Sequence, residues 1–415
     1  MNLRMHRVTM IAFALGVFLV TSTIATPNLA AQKATPLPER EIDLSALNFE
    51  QPKVPNYKNN EIFANLSLLF QDVHAHVEFI DAKELVVYFS DVVDERVKAQ
   101  NGQPPSSPPA HRMEALFLDV ETGNLISHQA WQTRERRFFN TLYDTQARIM
   151  PVRGGFLVHA DNLLTLYAPD LQEKEEMQLN PLHEYAATVA PGGNVFFLQQ
   201  DSPGIAIRSG PVSMVVNGDN VARGEWRSSE SFEKLRARDL FPGAAESVST
   251  NAFAGKWYSC IDIQGADSTQ SHLCCDDPCR YGQPMFLDDR QVVSCFRRGF
   301  RVLSTEGAVL WSREDPAWKT WKDGDLWDDV RSLDGSRFAE LRVAHRKLMF
   351  DGTQIPKRWF AVLLYDRSQR TKVFSVVLKP ENVPTIALSP AGDRLAILSG
   401  TTLLLYRIPD TSTPD

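Results

Sequence analysis

Five cysteines, Cys260, Cys274, Cys275, Cys279 and Cys295, carry the densest chemistry of the chain, and three of them share the run SHLCCDDPCR at 271–280. Thiols this close either cross-link or hold a metal. An odd number leaves one thiol over once disulfides form, and the sequence leaves the pairing open. One pairing has a geometric case: Cys260 and Cys274 stand symmetrically about Asp267, in the turn-like GADSTQS, so they would face each other across a hairpin. The DDP turn would then bring Cys275 toward Cys279. Cys295, in VVSCF, occupies the place in its hairpin that Cys260 has in WYSC, and reads as a small buried hydrophobe. The disulfide candidates are therefore Cys260, Cys274, Cys275 and Cys279. A zinc site would draw on Cys274, Cys275, Cys279 and His272, which are the right ligand types without paired C-x-x-C spacing. Staples for a long loop are the favoured reading.

Other chemical groups are sparser. VHAHVEF places His74, His76 and Glu78 on one face of a strand, because side chains alternate sides. A metal there would need a further ligand from elsewhere, and plain alternation with Val73, Ala75, Val77 and Phe79 pointing inward is favoured. Acidic pairs at Asp288–Asp289 and Asp328–Asp329 suit turns and edges better than acid and base work. Trp318 and Trp321, in LWSREDPAWKTWKDGDLW, are candidates for a surface that stacks on sugars or docks a protein; packing between elements competes with that reading. There is no G-x-S-x-G, H-E-x-x-H, P-loop or G-x-G-x-x-G motif. No catalytic residue and no cofactor is assigned. A net charge of −7 with no basic block gives phosphate-backbone binding no electrostatic support, so nucleic acid is not an expected partner.

Arg4 and Arg7 precede an uncharged stretch, Val8 to Ala25, followed by small residues and Pro27, which reads as a secretory signal peptide ending at Ala25 or at Ala31. Secretion or a periplasmic location follows, with a membrane anchor as the alternative if the stretch is kept. No later segment is apolar enough to span a membrane. Residues 26–60, rich in Pro, Lys and Asn, read as an extended lead-in; 61–410 as the folded part; 411–415 as a tail. Helical periodicity is confined to SSESFEKLRARDLF at 228–241.

Elsewhere the pattern is strand, turn, strand, and it repeats. LSPAGDRLAIL at 388 aligns with VAPGGNVFFL at 189, RSLDGSRFAEL at 331 and FIDAKELVVYF at 79. SGTTLLLYRIPD at 399 echoes ADNLLTLYAPD at 160. LFLDVETGNLISHQAW at 116, FRVLSTEGAVLW at 300 and AVLLYDRSQRTKVF at 361 are each a strand, a polar turn and a second strand. Joined, these pieces make a module of four antiparallel strands. RLAIL and TLLLY are apolar on successive residues, so both faces of their sheet need cover. Stacking such sheets around an axis provides it. First hairpins near Ala82, Gly154, Gly192, Gly255, Asp289, Gly335 and Gly392 predict an all-β, seven-bladed ring, with six or eight blades as alternatives. The last module has three strands, so a strand from the N-terminal side, within ANLSLLFQ at 64, is expected to complete it.

These stretches resemble bacterial secreted β-propellers of the WD-type and PQQ-type repeat superfamilies. LDVETGNLISHQAW, with Asp119, Thr122 and Gly123 at the turn, is similar to a PQQ-type repeat, and LSPAGDRLAIL to a WD-type one. A vicinal Cys274–Cys275 bridge would resemble the quinoprotein dehydrogenases of the PQQ-type family. The resemblance implies an architecture and no substrate. The expectation is a non-catalytic scaffold that binds protein or glycan through loops on one rim. The alternative is an enzyme, quinoprotein-like or hydrolytic, with its site in the central channel.

Overall fold

The computed structural model describes residues 36–47, 75–93, 111–133, 147–179, 184–189, 191–193, 196–201, 212–214, 244–253, 256–265, 270–274, 285–288, 290–296, 299–304, 308–314, 325–345, 358–378 and 384–409. The expected signal segment, the expected strand at 64–71, the helical stretch 228–241 and the tail lie outside these.

A short strand β1 (Arg40–Asp43) and a 3-10 turn (Leu44–Leu47) come first. The first sheet follows as β2 (Ala75–Phe79), β3 (Glu84–Val93), β4 (His111–Asp119) and β5 (Leu125–Thr133). The second is β6 (Ala147–Val152), β7 (Gly155–Ala160), β8 (Leu163–Tyr167) and β9 (Glu173–Gln178). The third, β10 (Glu184–Val189), β11 (Phe196–Asp201) and β12 (Val212–Met214), and the fourth, β13 (Ala244–Phe253), β14 (Lys256–Gly265) and β15 (Gln270–Cys274), have three described strands each. The fifth is β16 (Met285–Phe286), β17 (Gln291–Phe296), β18 (Gly299–Ser304) and β19 (Val309–Glu314). The sixth is β20 (Asp325–Arg331), β21 (Arg337–His345), β22 (Arg358–Asp366) and β23 (Thr371–Leu378). The seventh is β24 (Thr385–Leu388), β25 (Arg394–Ser399) and β26 (Thr402–Arg407). Each is an antiparallel meander in chain order, and all seven expected first hairpins are present among the described residues.

The seventh sheet gains its fourth strand from the N-terminal side, as expected, but from a different segment. β1 lies along β26, with Arg40 opposite Leu405 and Asp43 opposite Thr402. The strand sits inside the expected lead-in. Its sequence, REID, offers one inward apolar residue, Ile42, between polar neighbours, so apolar patterning could not single it out.

Packing follows from the alternation of side chains along strands buried on both faces. In β3, Leu85, Val87 and Phe89 join the core shared with the seventh sheet, while Val86 and Tyr88 join the core shared with the second. In β25, Leu395 and Ile397 face the sixth sheet; Ala396 and Leu398 face the first. In β22, Val362 and Leu364 face the seventh sheet, and Ala361, Leu363 and Tyr365 the fifth. Each such Leu, Ile or Phe contributes about 1.5–3 kcal/mol when fully buried. Described cores thus join the fifth sheet to the sixth, the sixth to the seventh, the seventh to the first, and the first to the second. The second also packs partly against Val189 of the third.

Candidate interaction face

Strand direction sorts the connections onto two ends. Turns from first to second strand, and from third to fourth, share one end, and every one that joins described strands is two to six residues long: 80–83, 120–124, 153–154, 168–172, 190–195, 254–255, 287–290, 305–308, 332–336, 367–370 and 389–393. The opposite end carries the second-to-third and sheet-to-sheet connections. Short ones occur there at 161–162, 179–183, 266–269, 297–298, 379–384 and 400–401, beside 94–110, 134–146, 202–211, 315–324 and 346–357. Two more segments, 215–243 and 275–284, join sheets whose fourth strand is not among the described residues.

The tight turns consume their own polar groups. Aspartate side chains accept from backbone N–H two or three residues on, the Asx device that holds a turn in place of regular structure. Asp81 Oδ1 accepts from Lys83 N at 2.6 Å, Asp119 Oδ1 from Thr122 N at 2.6 Å, Asp288 Oδ1 from Arg290 N at 2.8 Å and Asp334 Oδ1 from Ser336 N at 2.9 Å. Burial alone would push the Asp366 carboxyl up, but hydrogen bonds from the Ser368 hydroxyl and Gln369 N, together with the charge of Arg337, outweigh it and hold the group below the ordinary aspartate range. A depressed folded value means stability that is fully present above the unfolded value, near 3.9, and lost as pH falls through the folded one. Thermal unfolding of Asp366→Asn, followed from pH 6 downward, is therefore expected to fall less steeply below about pH 4 than that of the parent. An identical acid slope in both proteins would refute the assignment.

SLDGSR at 332–337 and SPAGDR at 389–394 build the same turn. Ser332 and Ser389 accept through their hydroxyls from Arg337 N and Arg394 N, each at 3.0 Å. Gly335 N and Gly392 N bond back to Ser332 O and Ser389 O at 3.0 and 2.8 Å. The arginine that ends each motif then reaches the next sheet. Arg337 Nη1 donates to Gly392 O at 2.9 Å and Nη2 to Pro409 O at 3.4 Å, with Asp366 at 3.5 Å. Arg394 pairs with Glu121 of the first sheet. β1 strengthens this seam, because Arg40 donates to Thr122 O and Glu121 O. Arg337→Met is expected to destabilise the protein by about 2 kcal/mol, since charge-assisted hydrogen bonds are worth roughly 1.5–3 kcal/mol; a denaturant midpoint at unchanged slope measures it.

Four of these turns also bond to one another. Arg153 N donates to Gly193 O at 3.0 Å, Gly192 N to Leu333 O at 2.6 Å and Asp334 N to Pro390 O at 3.1 Å. These bonds tie the second sheet to the third, the third to the sixth and the sixth to the seventh. Arg331 adds a link across the same gap, donating through Nη2 to Val189 O at 2.6 Å and through Nη1 to Ser332 O at 3.3 Å. Burial lowers its pKa to about 10, so the guanidinium stays charged at neutral pH. Backbone bonds thereby link four turns of the tight-turn end.

A second buried charge pair lies between the fifth and sixth sheets. Arg342 and Glu340, both 0% exposed, bond at 2.6 Å and 3.1 Å, and Arg342 Nη2 also donates to Gly299 O at 2.8 Å. Both carboxylate oxygens are engaged, as burial requires.

The residues singled out by sequence divide sharply. Cys260 and Cys274 stand directly opposite in the β14–β15 register, and His272 stands opposite Asp262. Cys275 and Cys279 lie outside the described residues, as do Trp318 and Trp321, which belong to the 315–324 connection at the open end. His74 is outside as well. His76 stacks on Tyr88 with ring centroids 4.8 Å apart, a packing role within its sheet. Two other tryptophans pack: Trp311 meets Phe300 edge-on at 4.8 Å, and Trp131 donates to Tyr167 Oη at 3.1 Å. Among the described residues, no three His, Cys, Asp or Glu side chains gather as a metal site. Sequence reading missed Arg331, Arg337, Arg342 and Arg394. The arginine shared by SLDGSR and SPAGDR was visible in the alignment; the other two needed the packing.

No protein-family model matches the chain, and no curated protein does. It is similar to solved structures. One is the Myceliophteria thermophila Cps50 (Swd1) beta-propeller domain, at 11% identity, covering 81% of this chain and 96% of that one, with a TM-score of 0.43. Another is the C-terminal WD40 domain of Sif2, at 11% identity over 81% and 95%, with a TM-score of 0.37. A third is a chain of the mitotic checkpoint complex, at 12% identity over 97% and 100%, with a TM-score of 0.42. The chain's own topology decides the fold, because sequential antiparallel meanders of three or four described strands follow one another, those from the fifth round to the second pack face to face, and the last sheet meets the first through a strand from the N-terminal side. The chain is a β-propeller. Its sheets are the blades, stacking of neighbouring blades covers their two apolar faces, and backbone bonds link the turns of four blades at one end.

Proposed function

We propose that this propeller is a non-catalytic binding scaffold that holds a protein or glycan partner on its long-connection face. In this reading the seven described sheets complete one seven-bladed ring, and the chain is exported by its N-terminal segment. The division of the connections carries the proposal: 94–110, 134–146, 202–211, 315–324 and 346–357 all leave from the same end, while at the opposite end four of the short turns bond to one another. Rigid scaffolds place recognition on the connections free to vary. Trp318 and Trp321 fall in one of these, and large aromatics dominate binding energy where they are buried by a partner. Export is supported by Arg4 and Arg7 ahead of the uncharged Val8–Ala25 stretch. Among the described residues, no helix is long and apolar enough to cross a membrane.

The test uses the purified chain on a glycan array and against a displayed peptide library, with the footprint of any selected binder mapped by hydrogen exchange. Protection is expected in 94–110, 134–146, 315–324 and 346–357, with Trp318→Ala and Trp321→Ala weakening binding about tenfold or more. Protection confined to the tight turns would overturn the reading. So would turnover of a sugar, ester or reduced dye abolished by acidic or His substitutions lining the channel, which would favour the enzyme alternative.

A further inference from the structure

Three cysteines lie on described strands, and the register separates them. Cys295, on β17, stands opposite Phe300. Cys260, on β14, stands opposite Ser249 on one side and Cys274 on the other. Directly opposed residues of antiparallel strands have Cα atoms about 4.5–5.5 Å apart, inside the 4.4–6.8 Å range that a disulfide bridges. Directly opposed register positions belong to the same face of a sheet.

A second observation concerns the blade that carries the pair. β13 reads AAESVSTNAF, with Glu, Ser, Thr and Asn interrupting its apolar residues, in contrast to RLAIL of β25 or AVLLY of β22. A first strand with so little apolar patterning gains less from stacking than β25 or β22 does, and covalent staples are the means by which small extracellular units offset such a shortfall.

We infer that Cys260 and Cys274 form a cross-strand disulfide that pins β14 to β15 in the fourth blade. The inference rests on register and patterning and is independent of the proposed binding role. Its formation removes two electrons and two protons from the two thiols; a disulfide oxidant, such as oxidised glutathione, accepts them and leaves as two thiols. The link also fixes the register of β15, since a slip of one residue would put the two sulfurs on opposite faces.

The experiment oxidises the full chain with glutathione disulfide, alkylates remaining thiols, and digests with trypsin and an endoprotease that cuts before Asp. That digestion places Cys260 in peptide 257–261, Cys274 and Cys275 in 267–275, Cys279 in 277–280 and Cys295 in 291–297. In Cys275→Ser/Cys279→Ser, peptide 257–261 is expected to be joined to 267–275, with mass reduced by two hydrogens, and 291–297 to be alkylated. In Cys274→Ser, peptide 257–261 is expected to be released. The unsubstituted protein, which needs no variant to fold, should likewise hold 257–261 and yield alkylated Cys295. Cys260 or Cys274 bound to Cys295, retention of 257–261 through Cys275, or stoichiometric zinc with Cys260 and Cys274 both alkylated would each overturn the inference.

Discussion

Arg342→Met is expected to lower the unfolding free energy by about 3–5 kcal/mol, the cost of leaving a buried carboxylate without its counter-charge. Glu340 has no route to water, because its side chain is 1% exposed and its fully buried partner supplies bonds to both of its oxygens. The loss would also release Gly299 O, which Arg342 ties into the fifth blade. The double variant Glu340→Leu/Arg342→Met is expected to be more stable than the single one, since an apolar pair of similar volume removes the orphaned charge. Equilibrium denaturation of the parent, of Glu340→Leu and Arg342→Met singly and of the double variant measures the coupling. A single variant within 1 kcal/mol of the parent would mean that the pair is solvated in solution.

Gly335→Ala is the second large effect. The residue sits at φ +69°, and an added Cβ would lie 1.7 Å from Leu287 O of the neighbouring blade. The left-handed conformation alone costs roughly 1–2 kcal/mol, and the obstacle is main chain, which cannot swing aside, so a loss on the order of 3 kcal/mol is expected. Gly123→Ala is the control. It shares the positive φ, but its Cβ would meet the side chains of Ile42 and Arg40 at 3.0–3.2 Å, which can shift. Its expected cost is about 1–2 kcal/mol. Equal losses at the two positions would show that backbone strain, rather than the contact between blades, sets the penalty.

Much of this architecture could be read from residue order because each hairpin carries local instructions. Runs such as LVVYF and RLAIL demand cover on both faces, and Gly154, Gly192, Gly335 and Gly392 stand at turns with positive φ. Cys260 and Cys274 were placed across a hairpin by symmetry about Asp267, and the register agrees at the level of backbone. What could not be read depends on partners distant in sequence. β1 owes its strand conformation to β26, so its four residues held no sufficient signal. Arg331 gains its role from Val189 O, 142 positions away, and Arg342 from Gly299 O, 43 positions away. Trp318 and Trp321, the proposed binding residues, were legible only as residue types, because connections carry composition without periodicity.

The pairing of β1 with β26 has a consequence for assembly. Arg40 is among the earliest of these residues to leave the ribosome, and Leu405 among the latest. The seventh blade cannot be completed until β26 has been made, however soon the central hairpins form. Contacts between such remote positions make folding slow, because the loop-closure entropy is lost before any contact rewards it. Until the two ends meet, the seventh blade keeps the edge of β26 bare, a template for pairing with another chain. The joining of β1 to β26 is thus the step at which this blade is most vulnerable to association with copies of the same chain.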